Sequence, residues 1–325
     1  MQIDYSLLFI TFVYIPVNLH LLRTFAAVAE LGSLTRAAEA MHVTQPAVSR
    51  AVHELEDQLG LPLVERIAGR MHCTEAGMAL FQHARAIFAL ERTAEADIRG
   101  RRGLKQGTLM VGASRTVATH LLPPLVARFL DAHPSVSVRL VSDNTHAIEE
   151  RLLAYELDLA LVEAPMRDPR IELLEWRNDH MVIVASATRF RGTSRPLTRE
   201  RFSSMRWIMR ETGSGTREIA ISRLREAGVE ISDMLEVDGN AAVVASVAAG
   251  LGVTMISVEA ARDPLALGRL VKLELAGLRT IRPLYRARIR ERPPSPASQA
   301  FARLVLESGV EELAAGRTDT SRSGT

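Results

Sequence analysis

With 325 residues, 47% of them hydrophobic and 24% charged, the chain has enough apolar material for two or three compact units, which excludes disorder over most of its length. The formal net charge is only +2, and acids and arginines nearly balance across residues 17–102, so any nucleic-acid reading must rest on where individual residues sit. The single cysteine, Cys73, excludes an intrachain disulfide and a cysteine-rich metal site and makes the cytoplasm the default compartment.

The uncharged apolar run 7–17 is shorter than the ~20 residues of a bilayer span. It also lacks the basic flank and cleavage site of a signal peptide, so no membrane partner is expected. Residues 1–15 read either as the product of a start codon upstream of the true one or as a short apolar extension. From residue 17, Leu21, Phe25 and Val28 recur at helical spacing and predict one buried stripe. Gly32 ends that helix, Ser33 caps the next, and Ala37, Ala38 and Met41 form its small apolar face. A third helix follows, with Thr44 as N-cap, Pro46 in the first turn, and Gly60 stopping it after Leu59.

Residues 63–74 predict a two-stranded ribbon, with Gly69 in a tight turn between Arg66 and Arg70. Thr74 then opens a proline-free helical stretch to about residue 102, in which Leu80, Ala84, Ile87, Ala94 and Ile98 recur at helical spacing. So long a helix exceeds what a small domain can cover. It is expected to pair with the same helix of a second chain, the alternative being that it packs on its own domain.

Residues 103–107 read as a hinge. Beyond them the strand-like runs 109–112, 138–141 and 157–162 alternate with helical runs 118–132 and 148–154, which predicts βαβ units and a largely parallel sheet. Strands are expected again at 181–185, 207–209, 234–237 and 253–257, with helices at 216–227 and 241–249 between them. A strand at 284–289 and a helix from 295 to about 307 close the fold, and a disordered tail is expected at 317–325. The fold class is thus α/β behind an all-α winged head. The head spans 16–74, a linker helix 75–102, and an α/β domain 103–316, with one lobe of 107–180 plus 284–310 and the other of 181–283.

On a helical wheel of the third helix, Val48, Val52, Leu55, Leu59 and Ala51 fall on one arc and Gln45, Pro46, Ser49, Arg50 and His53 on the opposite one. Gln45 can address adenine, Arg50 guanine or phosphate, and Ser49 either. Glu56 and Asp57 lie further along the same side and would repel phosphate, which suits a helix that enters the major groove by its first two turns. An ordinary solvated face is the alternative for these residues. The small helix before, the short turn and the basic ribbon after, with Arg66 and Arg70 free for backbone or minor groove, favour DNA. The candidate DNA-binding set is Ser33, Thr35, Thr44, Gln45, Pro46, Ser49, Arg50, His53, Arg66 and Arg70.

In the α/β half, ligands bind beyond the C-terminal ends of strands, where Ser114, Thr116, Asn144, Thr145 and Glu163 are expected. Across the cleft, Ser214, Gly215, Thr216 and Arg217 open one helix and Asn240 another. Helix N-termini with free N–H groups and hydroxyls suit an anion, although each of these residues has a plain alternative as an N-cap. No catalytic residue, metal site or cofactor is indicated. The chain has no G-x-S-x-G elbow, phosphate loop or full dinucleotide fingerprint, and its histidines lack ligand spacing, so an enzyme on this half is disfavoured. A solute-binding protein for transport is disfavoured by the lack of an export signal and by the DNA-binding head.

The stretch LLRTFAAVAELGSLTRAAEAMHVTQPAVSRAVHELEDQLGLPLVER, followed by TEAG, resembles the N-terminal signature of LysR-type transcriptional regulators. The likeness continues through GTLMVGASRT, LLPPLVARFLDAHPSVSVRL, ELDLALVE, ETGSGTRE and AAGLGVTMIS, covering nearly all of residues 16–306. The resemblance implies a homodimer or tetramer that binds double-stranded DNA at an inverted repeat, with RNA polymerase as a further partner. It also implies an effector domain of the type 2 periplasmic-binding-protein kind that takes a small molecule. GASRT and GSGTRE look most like the branches governing sulfur assimilation or carbon fixation, so a small anion is the expected effector. His53 stands where an arginine or another long polar residue is common in the family, Cys73 where leucine is usual, and the extension before Pro16 has no counterpart. The placement of Cys73 on the ribbon favours a small core residue over a redox sensor.

Overall fold

The computed structural model describes residues 17–101, 107–190 and 196–320. The apolar extension, most of the hinge and the last five residues of the tail lie outside these. The chain divides into two compact units, one ending at Phe88 and the other beginning at Ala89.

The first unit contains α1 (Leu19–Leu31), α2 (Leu34–Met41), α3 (Gln45–Leu59), the hairpin β1 (Val64–Ile67) and β2 (Arg70–Cys73), and the start of α4 (Glu75–Arg101). Gly32, left-handed at φ 60°, closes α1, and the Ser33 hydroxyl accepts the Arg36 N–H to open α2. Leu22, Phe25, Leu55, Leu63 and Ala84 are buried together, and Val28, Ala37, Ala38, Val48 and Val52 form an adjoining cluster. One expectation is borne out with a qualification and two are corrected. Thr44 occupies the N-cap position of α3 but its side chain makes no capping hydrogen bond. Leu59 is 37% exposed, because Leu63 from the incoming ribbon closes that end of the core instead. Glu56 does not present its charge to phosphate: its carboxylate accepts the N–H groups of Leu63 at 2.7 Å and Val64 at 3.2 Å.

Ala68 and Gly69 both take positive φ, 48° and 83°, the two-residue turn that suits a twisted hairpin. The Met71 N–H donates to Gly32 O at 3.1 Å and ties the ribbon to the α1–α2 turn. Along α4 the predicted apolar stripe splits. Ala84 and Phe88 enter the core, with Leu80 packed against it, while Ile87, Leu90 and Ile98 are 40%, 51% and 57% exposed.

The second unit runs, after the rest of α4, through β3 (Gly107–Ser114), a π-helical turn (Val117–Leu121), α5 (Leu122–Ala132), β4 (Val136–Asp143), α6 (Thr145–Leu153) and β5 (Leu159–Val162). It continues with β6 (Ile171–Ser186), α7 (Ala187–Phe190), α8 (Arg199–Ser203), β7 (Arg206–Arg210), α9 (Gly215–Glu226), β8 (Asp233–Val237) and α10 (Asn240–Ala248). It ends with β9 (Thr254–Ser257), α11 (Val258–Ala266), β10 (Leu270–Leu273), β11 (Ile281–Ile289) and α12 (Pro296–Thr320). α12 therefore runs through the first four residues of the expected tail.

The sheet is mixed, which corrects the largely parallel expectation. Its order is β10-β6-β11-β5-β3-β4 with β9 also on β6; among the described strand pairs β3–β4, β3–β5 and the separate β7–β8 are parallel, as is an isolated bridge between Trp207 and Val253, and the rest of the sheet is antiparallel. β6 and β11 are the cause. The first half of β6 pairs antiparallel with β11, and its second half lies between β9 and β10. One 16-residue strand thus serves two lobes. Each lobe has its own apolar clusters, one built on Leu109, Val111, Phe129, Trp176 and Phe301, the other on Met181, Phe202, Trp207, Leu224 and Met255. Among the described residues no helix is long and apolar enough to cross a membrane.

The join between ribbon and α4 depends on a glycine. Thr74 Oγ1 donates to Pro62 O at 2.7 Å and accepts the Gly77 N–H at 3.0 Å, drawing the first turn of α4 so close that a Cβ on Gly77 would lie 1.9 Å from Leu63 O. Gly77→Ala must push helix and ribbon backbone apart. Its expected cost is about 1–3 kcal/mol, read as a lower urea midpoint with unchanged slope; a wild-type midpoint would refute the close contact.

Candidate DNA-reading surface and effector cleft

In the first unit, Thr44, Gln45, Pro46, Arg50 and His53 are exposed along α3 and Ser49 is half-buried among them. The opposite positions Val48, Val52 and Leu55 are sealed in the core. Arg50 lies back along its own helix, its Nε donating to Pro46 O at 3.4 Å. Thr35 is exposed, whereas the Ser33 hydroxyl is spent on capping α2. Arg66 and Arg70 are both exposed near the ribbon tip. They point to opposite faces, since Arg66 is registered with Met71 and Arg70 with Ile67. Cys73 packs at the edge of the core, and burial raises its thiol pKa, the setting of an unreactive structural cysteine.

In the second unit the expected effector residues gather around Glu163, which follows β5 and is 1% exposed. Glu163 Oε1 accepts the Thr216 hydroxyl at 2.9 Å from the first turn of α9, with Thr116 Oγ1 at 3.5 Å. Thr116 Oγ1 also accepts Asn240 Nδ2 at 3.0 Å from the start of α10. The N-terminus of α9 presses on α6 and β5 so tightly that a Cβ on Gly215 would lie 2.6 Å from Ala164 Cβ and 2.7 Å from Thr145 Oγ1. The hydroxyls of Ser114, Thr145 and Ser214, and Glu163 Oε2, are buried with no hydrogen-bond partner. Two residues stand apart. Asn144 spends its side chain capping α6 through the Ala147 N–H, and Arg217 donates to Arg210 O at 2.9 Å and pairs with Glu236 rather than Glu163.

Four further charged residues organise the cleft and were not found in the sequence. Arg282, fully buried on β11, pairs with Asp179 on β6 through Nε at 2.8 Å and Nη2 at 2.7 Å, and its Nη1 donates to Thr216 Oγ1 at 2.9 Å. Ser257 donates to the other Asp179 oxygen at 2.9 Å. Arg210, 2% exposed, grips both oxygens of Glu211 at 2.7 Å and gives Nη1 to Asn240 Oδ1 at 2.5 Å. No short-range spacing signals pairs such as Arg282 and Asp179, which lie among other polar residues of their strands. Among the described residues no group of three or more His, Cys, Asp or Glu is placed to hold a metal.

A winged helix-turn-helix on one unit and converging helix N-termini between the lobes of the other define a ligand-responsive DNA-binding regulator. Residues 19–78 match the family described as bacterial regulatory helix-turn-helix protein, lysR family, and residues 102–309 match the LysR substrate binding domain. The chain belongs to the LysR family of transcriptional regulators, and its role is regulation rather than catalysis. It is 34% identical over 294 residues to the RuBisCO operon transcriptional regulator of Allochromatium vinosum, covering 90% of this chain and 97% of the relative. To the HTH-type transcriptional regulator CbbR of Rhizobium meliloti it is 34% identical over 299 residues, covering 90% and 93%. Full-length CbnR, solved in complex with its target DNA, superposes with a TM-score of 0.63 at 25% identity over 90% of this chain and 99% of that one.

Glu211 gives the cleft a pH signature. Burial alone would raise its pKa, but hydrogen bonds from Arg210, with help from its own and the Gly239 backbone, bring it from the ordinary 4.5 down to about 2. A depressed carboxylate stabilises the fold fully above pH 4.5 and loses that contribution as pH falls toward 2. The expected loss is roughly 2–4 kcal/mol. Urea unfolding at stepped pH should show this extra acid sensitivity in the wild type and not in Glu211→Gln; parallel pH profiles for the two proteins would refute it.

Proposed function

We propose that this chain is a homodimeric regulator, able to associate further into tetramers, that binds an inverted-repeat operator and changes its grip on DNA and on RNA polymerase when a small anionic metabolite enters the cleft. Its working compartment on this reading is the cytoplasm. The dimer reading is supported by the exposed row Ile87, Leu90 and Ile98 on α4, at the spacing by which one helix packs on another. DNA reading is supported by the exposure of Gln45, Arg50 and His53 opposite a sealed apolar face. The two wing arginines, on opposite faces of the ribbon, are suited to two separate backbone segments.

The observation that carries the effector reading is the set of buried, unpartnered hydroxyls on Ser114, Thr145 and Ser214. Buried polar groups left unpaired cost about 1–3 kcal/mol each, so the cleft gains by taking in a molecule that accepts hydrogen bonds. The N-termini of α6 and α9 favour negative charge on that molecule. Glu163 Oε2, also unpartnered, asks for a donor from the same molecule. A hydroxylated acid or phosphorylated sugar meets both demands, and a bare inorganic oxyanion only the first. The likeness to RuBisCO-operon regulators supports a metabolite of carbon assimilation, and sulfur oxyanions form the second class to test. Ligand can shift the regulator only through different affinities for its two assembly states.

For DNA, Arg50→Ala is expected to cost ~1–3 kcal/mol of discrimination between cognate and mismatched duplex if the guanidinium reads a base. Binding titrations on both duplexes check it, and a uniform loss on all sequences would reassign Arg50 to phosphate. For the cleft, a thermal-shift panel of phosphorylated sugars, small hydroxycarboxylates, sulfate, sulfite and thiosulfate should show stabilisation by a hydroxylated anion. Glu163→Gln, which removes the like charge, should improve sulfate binding at least ~10-fold. Stabilisation by an uncharged compound alone would overturn the anion reading.

A further inference from the structure

Further along β11 from Arg282 lies a second set of arginines that neither the DNA surface nor the cleft uses. The positions of β11 facing α12 run Leu284, Arg286, Arg288. Leu284 packs with Phe301 and Val305 in the lobe core, and the two arginines line a cavity of ≈ 240 Å³ with Leu159, Ala302, Arg303 and Leu306. Their charges are poorly matched. Arg288 pairs with Glu172 Oε2 directly across the strands, leaving Arg286 with Glu172 Oε1 at 3.9 Å as its nearest carboxylate. The Arg286 side chain is only 12% exposed, and its Nε is buried with no hydrogen-bond partner. Arg303, on the neighbouring helix, is exposed. Among the described residues, three arginines therefore line the cavity, with Glu172 as the one carboxylate paired to any of them.

Burial of a guanidinium without a full counter-charge and with an idle donor is costly, and such groups are normally paired. The same burial lowers the pKa of Arg286, against the partial compensation of Glu172. We propose that this groove is a second anion site, separate from the cleft, that takes a small carboxylate with an apolar body. The carboxylate accepts hydrogen bonds from Arg286 and from the exposed Arg303, while the apolar body lies on Leu159, Ala302 and Leu306. The cavity, at ≈ 240 Å³, is below the ~300–1,000 Å³ of drug-sized sites, which limits the ligand to a few carbons or one ring. The groove and the effector cleft share β11, which contributes Arg286 and Arg288 here and Arg282 there.

Calorimetric titration of the full chain with phenylacetate and with hexanoate tests the site, with sulfate as the anion lacking an apolar body. Both carboxylates are expected to bind better than sulfate, and Arg286→Met to weaken them at least ~10-fold. Arg286→Met keeps the apolar stem of the side chain while removing an ill-paired charge, so the protein should melt no lower than wild type. Ala302→Trp, filling the groove from α12, should abolish carboxylate binding independently. Ser214→Ala, in the cleft, should leave it unchanged. Binding lost in Ser214→Ala but kept in Arg286→Met would assign the carboxylates to the cleft and overturn the proposal. So would the absence of carboxylate binding altogether, or a change of oligomeric state in Arg286→Met without any, which would give the counter-charge to a second copy of the chain.

Discussion

The effector unit is organised around the buried pair of Arg282 and Asp179. The two residues are opposite one another in the antiparallel register of β11 and β6, the strands that serve both lobes. A guanidinium 0% exposed and a carboxylate 5% exposed are tolerable because each neutralises the other and both are further hydrogen-bonded, although Arg282 Nη2 touches Asp179 as an ion pair without a hydrogen bond of its own. Asp179 also accepts from Ser257, and Arg282 reaches across to Thr216 at the head of α9. A buried pair of this kind adds little net stability over an apolar substitute, but it is severe on any arrangement that separates its members. It therefore fixes the relation between the crossing strands and the helix that lines the cleft, and specifies geometry more than it supplies energy.

That relation leaves the cleft deliberately incomplete. Thr216 is satisfied on both sides, by Arg282 and Glu163, and Thr116 is engaged by Asn240 from the other lobe. Yet three hydroxyls and one carboxylate oxygen in the same region remain buried without partners. The contrast with Arg210 and Glu211 is informative, because there the pairing is bidentate and complete and the carboxyl is held at about 2. One side of the cleft is rigidly neutralised while the other stores unsatisfied polarity. A ligand gains most where groups are already desolvated and idle, since it does not have to displace water from them.

The parts of this design that were legible in the sequence are those whose cause is local. Helical spacing placed Leu21, Phe25 and Val28 in the core, a left-handed glycine and a serine hydroxyl marked the turn from α1 to α2, and strand ends located Ser114, Thr116 and Glu163. Local reasoning failed wherever a distant segment intervened. Glu56 looked outward on a wheel because the wheel does not contain the ribbon backbone that returns to its carboxylate. Leu59 looked buried because Leu63 had not yet taken its place. β6 was read as beginning at residue 181 because Arg177, Asn178, Asp179 and His180 interrupt its apolar pattern, and those polar residues are the ones the crossing strand uses. The Arg282–Asp179 pair spans 103 residues of sequence, a separation over which periodicity carries no information.

The split stripe on α4 shows the same limit from the other direction. In sequence, Leu80, Ala84, Ile87, Ala94 and Ile98 form one series at helical spacing, and a single series suggests a single buried face. In the fold the series parts after Ala84: Phe88 carries the inner line onward with it, and Ile87, Leu90 and Ile98 make an outer line that the chain itself leaves uncovered. A helix with two apolar lines needs two partners to bury them. The first is supplied by the winged head, and exposed hydrophobic side chains at regular helical intervals on the second are a cost that burial against any apolar partner would relieve. The helix that completes the core of the DNA-reading unit therefore also carries a second, exposed apolar line, and that line is the feature on which the proposed dimer rests.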